Sequence, residues 1–348
     1  MNGANEPMTR NKKKLEPVNL RLEWEYFNLT KVMDLLATQH PLLPGQGAEL
    51  VVIPRSAKRQ EVITKVLLEL RRGVAQMHCD LTQFDCDVLD AVYTIIAQSR
   101  TTRSQYIIFT LEQVVHVLYG KLDGDVTPQQ LADVEASLDK LSAIRITIDC
   151  TDELVARRIA TKGHPTVFTD YLLPVKKYKE SDMVASRNGR PARVAYQLYS
   201  TPITYMYAEI IGQIARVPAR QFQAGGQKMS DTKEMLTIKR YLFRRVAIMS
   251  NTHNRAVSRR IAYEWWDGDR RKGMYEHLGY SPEMYSTESQ WRKKRSNIHK
   301  AVCSVLDWMV KDGTIAGYEV VHVGRKIAGV DIVLKEDLKT GNKKEAHT

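Results

Sequence analysis

The chain is poor in cysteine and arranges it in no way that would hold a metal. Cys79, Cys86, Cys150 and Cys303 are its four cysteines; none sits in a CxxC pair, and the shortest spacing, Cys79 to Cys86, has no histidine pair nearby to complete a zinc site. They read as reduced, small core residues, which suits a cytoplasmic protein better than a disulfide-stapled secreted one. No run of 18 apolar residues occurs, and MNGANEPMTRNKKKLEP at the start lacks an apolar signal core. The expectation is therefore a chain that neither spans a membrane nor is exported. Catalytic signatures are missing as well. There is no GxxxxGK[ST] phosphate loop, since GQGAEL at 45–50 lacks the lysine, and neither HExxH nor GxSxG appears. None of the nine histidines is paired across one hydrophobic residue, the arrangement by which a strand-nicking nuclease holds its metal. No metal or cofactor is expected, and the pattern points away from an enzyme. The 16 tyrosines leave one exception open, a nuclease or recombinase with a tyrosine nucleophile.

What the chain does have is positive charge, unevenly placed. Its 348 residues suffice for two domains with proper cores. The 52 Lys and Arg against 40 Asp and Glu leave a net charge of +12, which makes nucleic acid or an anionic surface the expected partner class. From Leu81 to Cys150 ten acidic residues face five basic ones, a net of −5; from Lys228 to Lys335 the same count gives +9. Opposite bias in the two halves suggests two jobs.

Periodicity orders the chain. Residues 1–20 are polar, with a cationic cluster at Lys12 to Lys14, and read as a flexible basic arm. Helical spacing is expected from Glu61 to Ala75 and again through Phe84, Val88, Leu89, Val92, Ile95 and Ile96. YIIFT at 106–110 reads as a short strand, and a helix follows from Leu111 to Tyr119, stopped by Gly120. Thr127-Pro128-Gln129-Gln130 combines an N-cap, a proline at the first helical position and a capping-box glutamine, so another helix begins there. It leads into the β-branched run IRITIDC and then into two strand candidates, VFTDYLLPV and ARVAYQLY, separated by a polar loop over 178–193. Pro218, Gly225 and Gly226 break any period, which places a linker at 216–232. Beyond it the spacing predicts helices over Thr232 to Met249 and Val257 to Asp267, a short one near Met274 to Leu278, and a long one to Gly313. The stretch Tyr318 to Leu334 alternates as a hairpin turning at Gly324-Arg325-Lys326. Trp265, Trp266, Trp291 and Trp308 are expected in the core or half-buried.

The long helix, SQWRKKRSNIHKAVCSVLDWMVKDG, carries the sharpest signal. Trp291, Ile298, Val302, Val305, Leu306 and Met309 recur at three- and four-residue steps and mark its buried face. Arg292, Lys293, Lys294 and Arg295 crowd its first turns, where cations oppose the macrodipole at a cost of roughly 0.3 to 1 kcal/mol each. A phosphate backbone along that end would reverse the sign; a merely solvated face is the alternative. Arg292, Arg295 and Asn297 are able to read base edges, with Ser296 on the same side. Lys293, Lys294 and Lys300, and Arg325 and Lys326 at the hairpin tip, suit phosphates. Secondary candidates are Lys176, Lys177, Lys179, Arg187, Arg190 and Arg193 around the 178–193 loop, and Arg259 and Arg260 before the third helix. The corresponding helix of the first half exposes Gln129, Gln130, Asp133, Glu135, Asp139 and Lys140, a face that suits a scaffold or a subunit interface better than a duplex.

FDCDVLDAVYTII, FTLEQVVHVLYG and LADVEASLDKLSAIRITI in the first half, with MLTIKRYLFRRVAIMSN and the long basic helix in the second, resemble the plasmid replication initiators built from tandem winged-helix domains, the RepA, RepE and TrfA type. The resemblance runs from Leu81 to Leu334. It implies an α+β fold with two winged-helix (helix-turn-helix) DNA-binding domains, at 21–215 and 233–336, followed by a tail at 337–348. It further implies a non-enzymatic initiator of a plasmid or mobile element that binds repeated origin sites in double-stranded DNA. Self-association through the N-terminal domain and recruitment of a host initiator or helicase machinery go with it. A winged-helix transcriptional or partition regulator bound to its own operator is the competing expectation.

Overall fold

The computed structural model describes residues 17–38, 47–53, 62–70, 81–99, 107–120, 125–159, 165–180, 194–219, 222, 232–251, 258–268 and 270–335. The basic arm up to residue 16, the 181–193 part of the polar loop with Arg187, Arg190 and Arg193, most of the expected linker, and the tail lie outside them.

The first half opens with β1 (Trp24–Asn28), α1 (Lys31–Thr38), β2 (Gly47–Val52) and β3 (Thr64–Leu70), then α2 (Gln83–Ser99), β4 (Ile107–Thr110), α3 (Leu111–Tyr119) and α4 (Pro128–Ala143). It continues through β5 (Ile144–Asp149), α5 (Thr151–Ala156), β6 (Val167–Tyr171), β7 (Val175–Lys179), β8 (Val194–Leu198), α6 (Ile203–Ile210) and β9 (Ile214–Pro218). The expected capping box at Thr127 is present, and a second one that the sequence reading did not name stands at Thr110. Thr110 Oγ1 accepts from the Gln113 amide while the Gln113 side chain accepts from the Thr110 amide, and Thr127 with Gln130 repeats the pair. Gly120 closes α3 in the left-handed region at φ 63°.

The second half contains α7 (Lys233–Ser250), β10 (Arg260–Ala262), β11 (Trp265–Asp267), β12 (Arg270–Lys272), α8 (Met274–His277), α9 (Glu288–Asp312), β13 (Gly317–Val323) and β14 (Lys326–Val333). With β5, α5 and β6 set aside in one half and β11 and β12 in the other, each contains helix, strand, helix, helix, hairpin in that order: α2, β4, α3, α4, β7–β8 and α7, β10, α8, α9, β13–β14. Sheet order agrees too. The first strand pairs with the last, giving β4-β8-β7 and β10-β14-β13, all antiparallel. The chain is mixed α+β.

Three expectations are corrected. Of the expected helix at 61–75, the described residues 62–70 are not helical; Thr64 to Leu70 is β3, held between β2 and β5 with Thr64, Val66, Leu68 and Leu70 buried. Of the expected helix at 257–267, the described residues 258–267 are not helical either, because Arg260 to Ala262 pairs with β14 and Trp265 to Asp267 pairs with β12. VFTDYLLPV is two strands in two sheets: β6 completes β2-β3-β5-β6, whereas β7 joins β4 and β8. In each case a distant strand supplies the hydrogen bonds that local spacing could not announce.

Two apolar cores form. One is centred on α2, α3, α4 and the β2-β3-β5-β6 sheet; the other lies between α7, α9 and the β10-β14-β13 sheet. The β1–β9 ribbon belongs to both, since Leu22 and Ala219 at its ends join the first core while Phe27, Leu29 and Val217 join the second. Beside it α7 meets α2 through a buried charge cluster. Arg240 lies 2.7 Å from Glu25 of β1 and 3.8 Å from Asp87, and Arg244 lies 3.6 Å from Asp87 and bonds Asp90 directly, every side chain at most 2% exposed. Desolvation raises the carboxyls of Glu25 and Asp87 to about 7 against the pull of the arginines, and raises Asp90 as well.

Candidate nucleic-acid interface

α9 is built to be held on one side only. Thr287 caps its start by accepting from the Gln290 amide at 3.3 Å, and Glu288 in the first turn complements the helix dipole. Gly313 ends it at φ 74°, donating its amide to the Met309 and Val310 carbonyls. Trp291, Ile298, Val302, Val305, Leu306 and Met309 are buried against the second core, as their spacing predicts.

The run of four cations divides in two. Lys294 points back, 2.7 Å from Glu234 of α7 and 4.5 Å from the Tyr280 ring centroid. Arg295 lies 3.6 Å from Glu288 and over the Trp291 ring. Both are half-buried and engaged with carboxylates of the chain itself, unlike their two neighbours. Arg292 and Lys293 are exposed and make no ion pair among the described residues. At 100° per residue they fall with Ser296, Asn297 and Lys300 on one stripe opposite the buried face, and all five are exposed. The stripe ends at Asp307, which accepts a 2.7 Å hydrogen bond from the Tyr318 hydroxyl.

The β13–β14 hairpin flanks this helix. Val323 pairs with Lys326, leaving a two-residue turn whose first member, Gly324, sits at φ 61°, a conformation that suits glycine. Arg325 and Lys326 at the tip are exposed and free of ion pairs among the described residues.

The secondary candidates fare differently. Arg260 forms a two-pronged pair with Asp331 across β10 and β14, both contacts at 2.8 Å. Arg259 donates to the Met249 carbonyl. Lys176 and Lys179 are exposed. Lys177 is not available: its Nζ lies 2.9 Å from Glu135 and 2.7 Å from Asp139 of α4. Burial lowers its pKa, but the hydrogen bonds to Asp139 and Glu135 outweigh that and the net shift is upward. The acidic face of α4 is thus engaged within the chain, with Asp133 3.6 Å from Lys233 and Lys140 2.9 Å from Asp85 completing it.

Trp291 is buried and Trp308 half-buried, as expected, but Trp265 and Trp266 are 48% and 61% exposed on the β11–β12 ribbon. No sequence signal announced this, since a helix over 257–267 would have turned them inward. Among the described residues no group of three or more His, Cys, Asp or Glu is placed to hold a metal, and no helix is long and apolar enough to cross a membrane.

No protein-family model and no curated protein matches the chain. Among solved structures it is similar to the selenomethionine form of domains 2 and 3 of RctB, at 11% identity and a TM-score of 0.41, over 87% of this chain and 96% of that one. It is also similar to a structure of RctB domains 2–3, RctB 155–483, at 13% identity and a TM-score of 0.38, over 86% and 97%. At TM-scores below 0.5 such a likeness assigns neither fold nor role.

Proposed function

We propose that the chain is a replication initiator of a plasmid or mobile element that binds double-stranded DNA through two winged-helix units in tandem. The shared connectivity and sheet order of the two halves support the tandem reading. α9 is the recognition helix of the second unit and the β13–β14 hairpin its wing. The observation that carries the reading is the stripe Arg292, Lys293, Ser296, Asn297 and Lys300: outward-facing, unpaired among the described residues, and backed by a fully packed apolar face. Arg292 and Asn297 have the donors and acceptors for guanine and adenine edges; Lys293, Lys300, Arg325 and Lys326 suit flanking phosphates. The first unit, in which Lys177 bridges Glu135 and Asp139 of a still acidic α4, is assigned to self-association and to contacts with the host initiator or helicase machinery. The chain acts by binding, in the cytoplasm, and not as an enzyme.

Duplex binding measured across salt concentrations tests this. Lys293→Gln and Lys300→Gln should each flatten the log–log slope by about 0.9, and Arg292→Ala should relax base preference at one position by roughly 1 to 3 kcal/mol. An unchanged slope in both lysine variants removes α9 from the interface. Direct repeats beside the gene together with origin activity support an initiator; one palindromic operator without origin activity supports a regulator.

A further inference from the structure

The β11–β12 ribbon is an addition that the repeated connectivity does not need. In the first half β4 runs straight into α3, Thr110 being followed by Leu111, whereas in the second half Tyr263 to Gly273 intervenes between β10 and α8. The ribbon is nonetheless firmly built. Gly273 at its root sits at φ 122°, where a Cβ would meet the Tyr263 carbonyl oxygen at 2.7 Å, and the Tyr275 amide donates to that same oxygen at 3.1 Å. Arg271 lies 3.1 Å from Glu264 and 3.0 Å from Glu283, in the turn leading to α9, so the ribbon is anchored beside the cationic end of that helix.

What the ribbon presents is two indoles. Successive strand residues point to opposite faces, so Trp265 and Trp266 flank it. Each has a cross-strand cation on one ring face: Lys272 Nζ is 5.6 Å from the Trp265 centroid, and the Arg271 guanidinium 5.7 Å from that of Trp266. With one face so covered and 48% and 61% of the residues still exposed, the solvent-facing part of each ring is its other face and edge. Asp267, Glu264 and Glu283 balance these cations, so the ribbon would draw a polyanion weakly by charge alone. What it offers is flat π surfaces stiffened by cations.

From this we infer a second nucleic-acid site: Trp265 and Trp266 stack on unpaired bases of single-stranded DNA. Paired bases in a duplex show no free face to an indole, whereas every unpaired base does, so the site is indifferent to sequence. It does not depend on α9 reading duplex DNA.

The test uses the full chain and a labelled 20-residue oligo(dT), followed by anisotropy and by indole emission, with a duplex of random sequence as the control. The wild type is expected to bind the oligonucleotide with quenching of indole emission, and Trp265→Ala/Trp266→Ala to weaken that binding by about thirtyfold or more. Duplex binding should stay unchanged in this variant, and Trp265→Phe/Trp266→Phe should restore most of the affinity. Arg292→Ala, by contrast, should damage duplex binding more than oligonucleotide binding, so failure of the duplex reading and failure of this one show separately. Absence of oligonucleotide binding, or an alanine variant that binds like the wild type, overturns the proposal. So does an alanine variant that loses self-association while keeping its oligonucleotide affinity, which would make the ribbon a protein contact.

Discussion

Replacing Arg244 by alanine should separate the two halves energetically. Its guanidinium, 2% exposed, bonds Asp90 and lies 3.6 Å from Asp87, while Arg240 already serves Glu25 at 2.7 Å and reaches Asp87 only at 3.8 Å. Without Arg244, three buried carboxyls would face one arginine. Removing one member of a buried pair costs about 3 to 5 kcal/mol, because the partner is left charged and dry, and lost packing of the arginine stem adds to that. The amide of Asn28 at 3.1 Å from Asp90 moderates the loss without removing it. Urea unfolding at pH 8 should therefore show a loss of about 3 kcal/mol or more. Adding Asp90→Asn should recover part of it, and the loss should shrink at pH 5.5, where the orphaned carboxyls take up protons. A loss below about 1 kcal/mol at pH 8, or one independent of pH, would refute the reasoning, since it would mean that water or rearrangement already satisfies these groups.

The wild-type chain should itself be more stable at pH 5.5 than at pH 8. Glu25 and Asp87 ionise near 7 when folded but near 4 when unfolded, so the stability tied to their protonation is full below about 4 and lost as pH rises through 7; Asp87→Asn should flatten the dependence in urea midpoints. Gly329→Ala should lower the thermal midpoint markedly, because a Cβ there would fall on the Ile261 carbonyl oxygen and lie 3.0 Å from the Ala262 Cα, prising β10 from β14. Lys294→Gln should cost no more than about 1 kcal/mol and leave the salt slope of duplex binding unchanged; a drop of about 0.9 would return Lys294 to the interface.

Local chemistry was legible where it was self-contained. The capping box at Thr127, the glycine stops at Gly120 and Gly313 and the apolar seam of α9 each rest on near neighbours in the chain, and all appear as read. β3 was not legible, because Ile63, Val66, Leu67 and Leu70 satisfy a helical step while Thr64, Val66, Leu68 and Leu70 satisfy alternation. Two flanking strands decide between them, one of them β5, about eighty positions away in the chain. The three-residue β10 is a similar case, its Arg260 bonded to Asp331 71 positions on. The same blindness affected the site. Spacing put Lys294 and Lys293 side by side in one basic run, but only the fold brings Glu234, 60 positions away, against the first and nothing described against the second.

That distinction changes what the opposite charge of the two halves means. Read along the sequence, −5 against +9 suggested separate tasks; in space, part of that difference joins the halves to each other. Asp87 and Asp90 of α2 take Arg240 and Arg244 of α7, and Asp133 of α4 takes Lys233. Glu135 and Asp139 share Lys177 from the hairpin of their own half, so the acidic face of the helix that matches α9 in connectivity is partly engaged within the chain. The +9 of the second half therefore overstates what that half has left to attract a polyanion. Among the described residues, cations that the fold leaves without an ion pair include Arg292, Lys293 and Lys300 on the second half's last helix and Arg325 and Lys326 at its hairpin tip, and under the proposed function these are the ones that meet DNA. A screen that neutralised basic residues by sequence position alone would thus mix two opposite outcomes: loss of stability at Arg240, Arg244 and Lys177, and loss of binding with the fold intact at Arg292, Lys293, Lys300, Arg325 and Lys326.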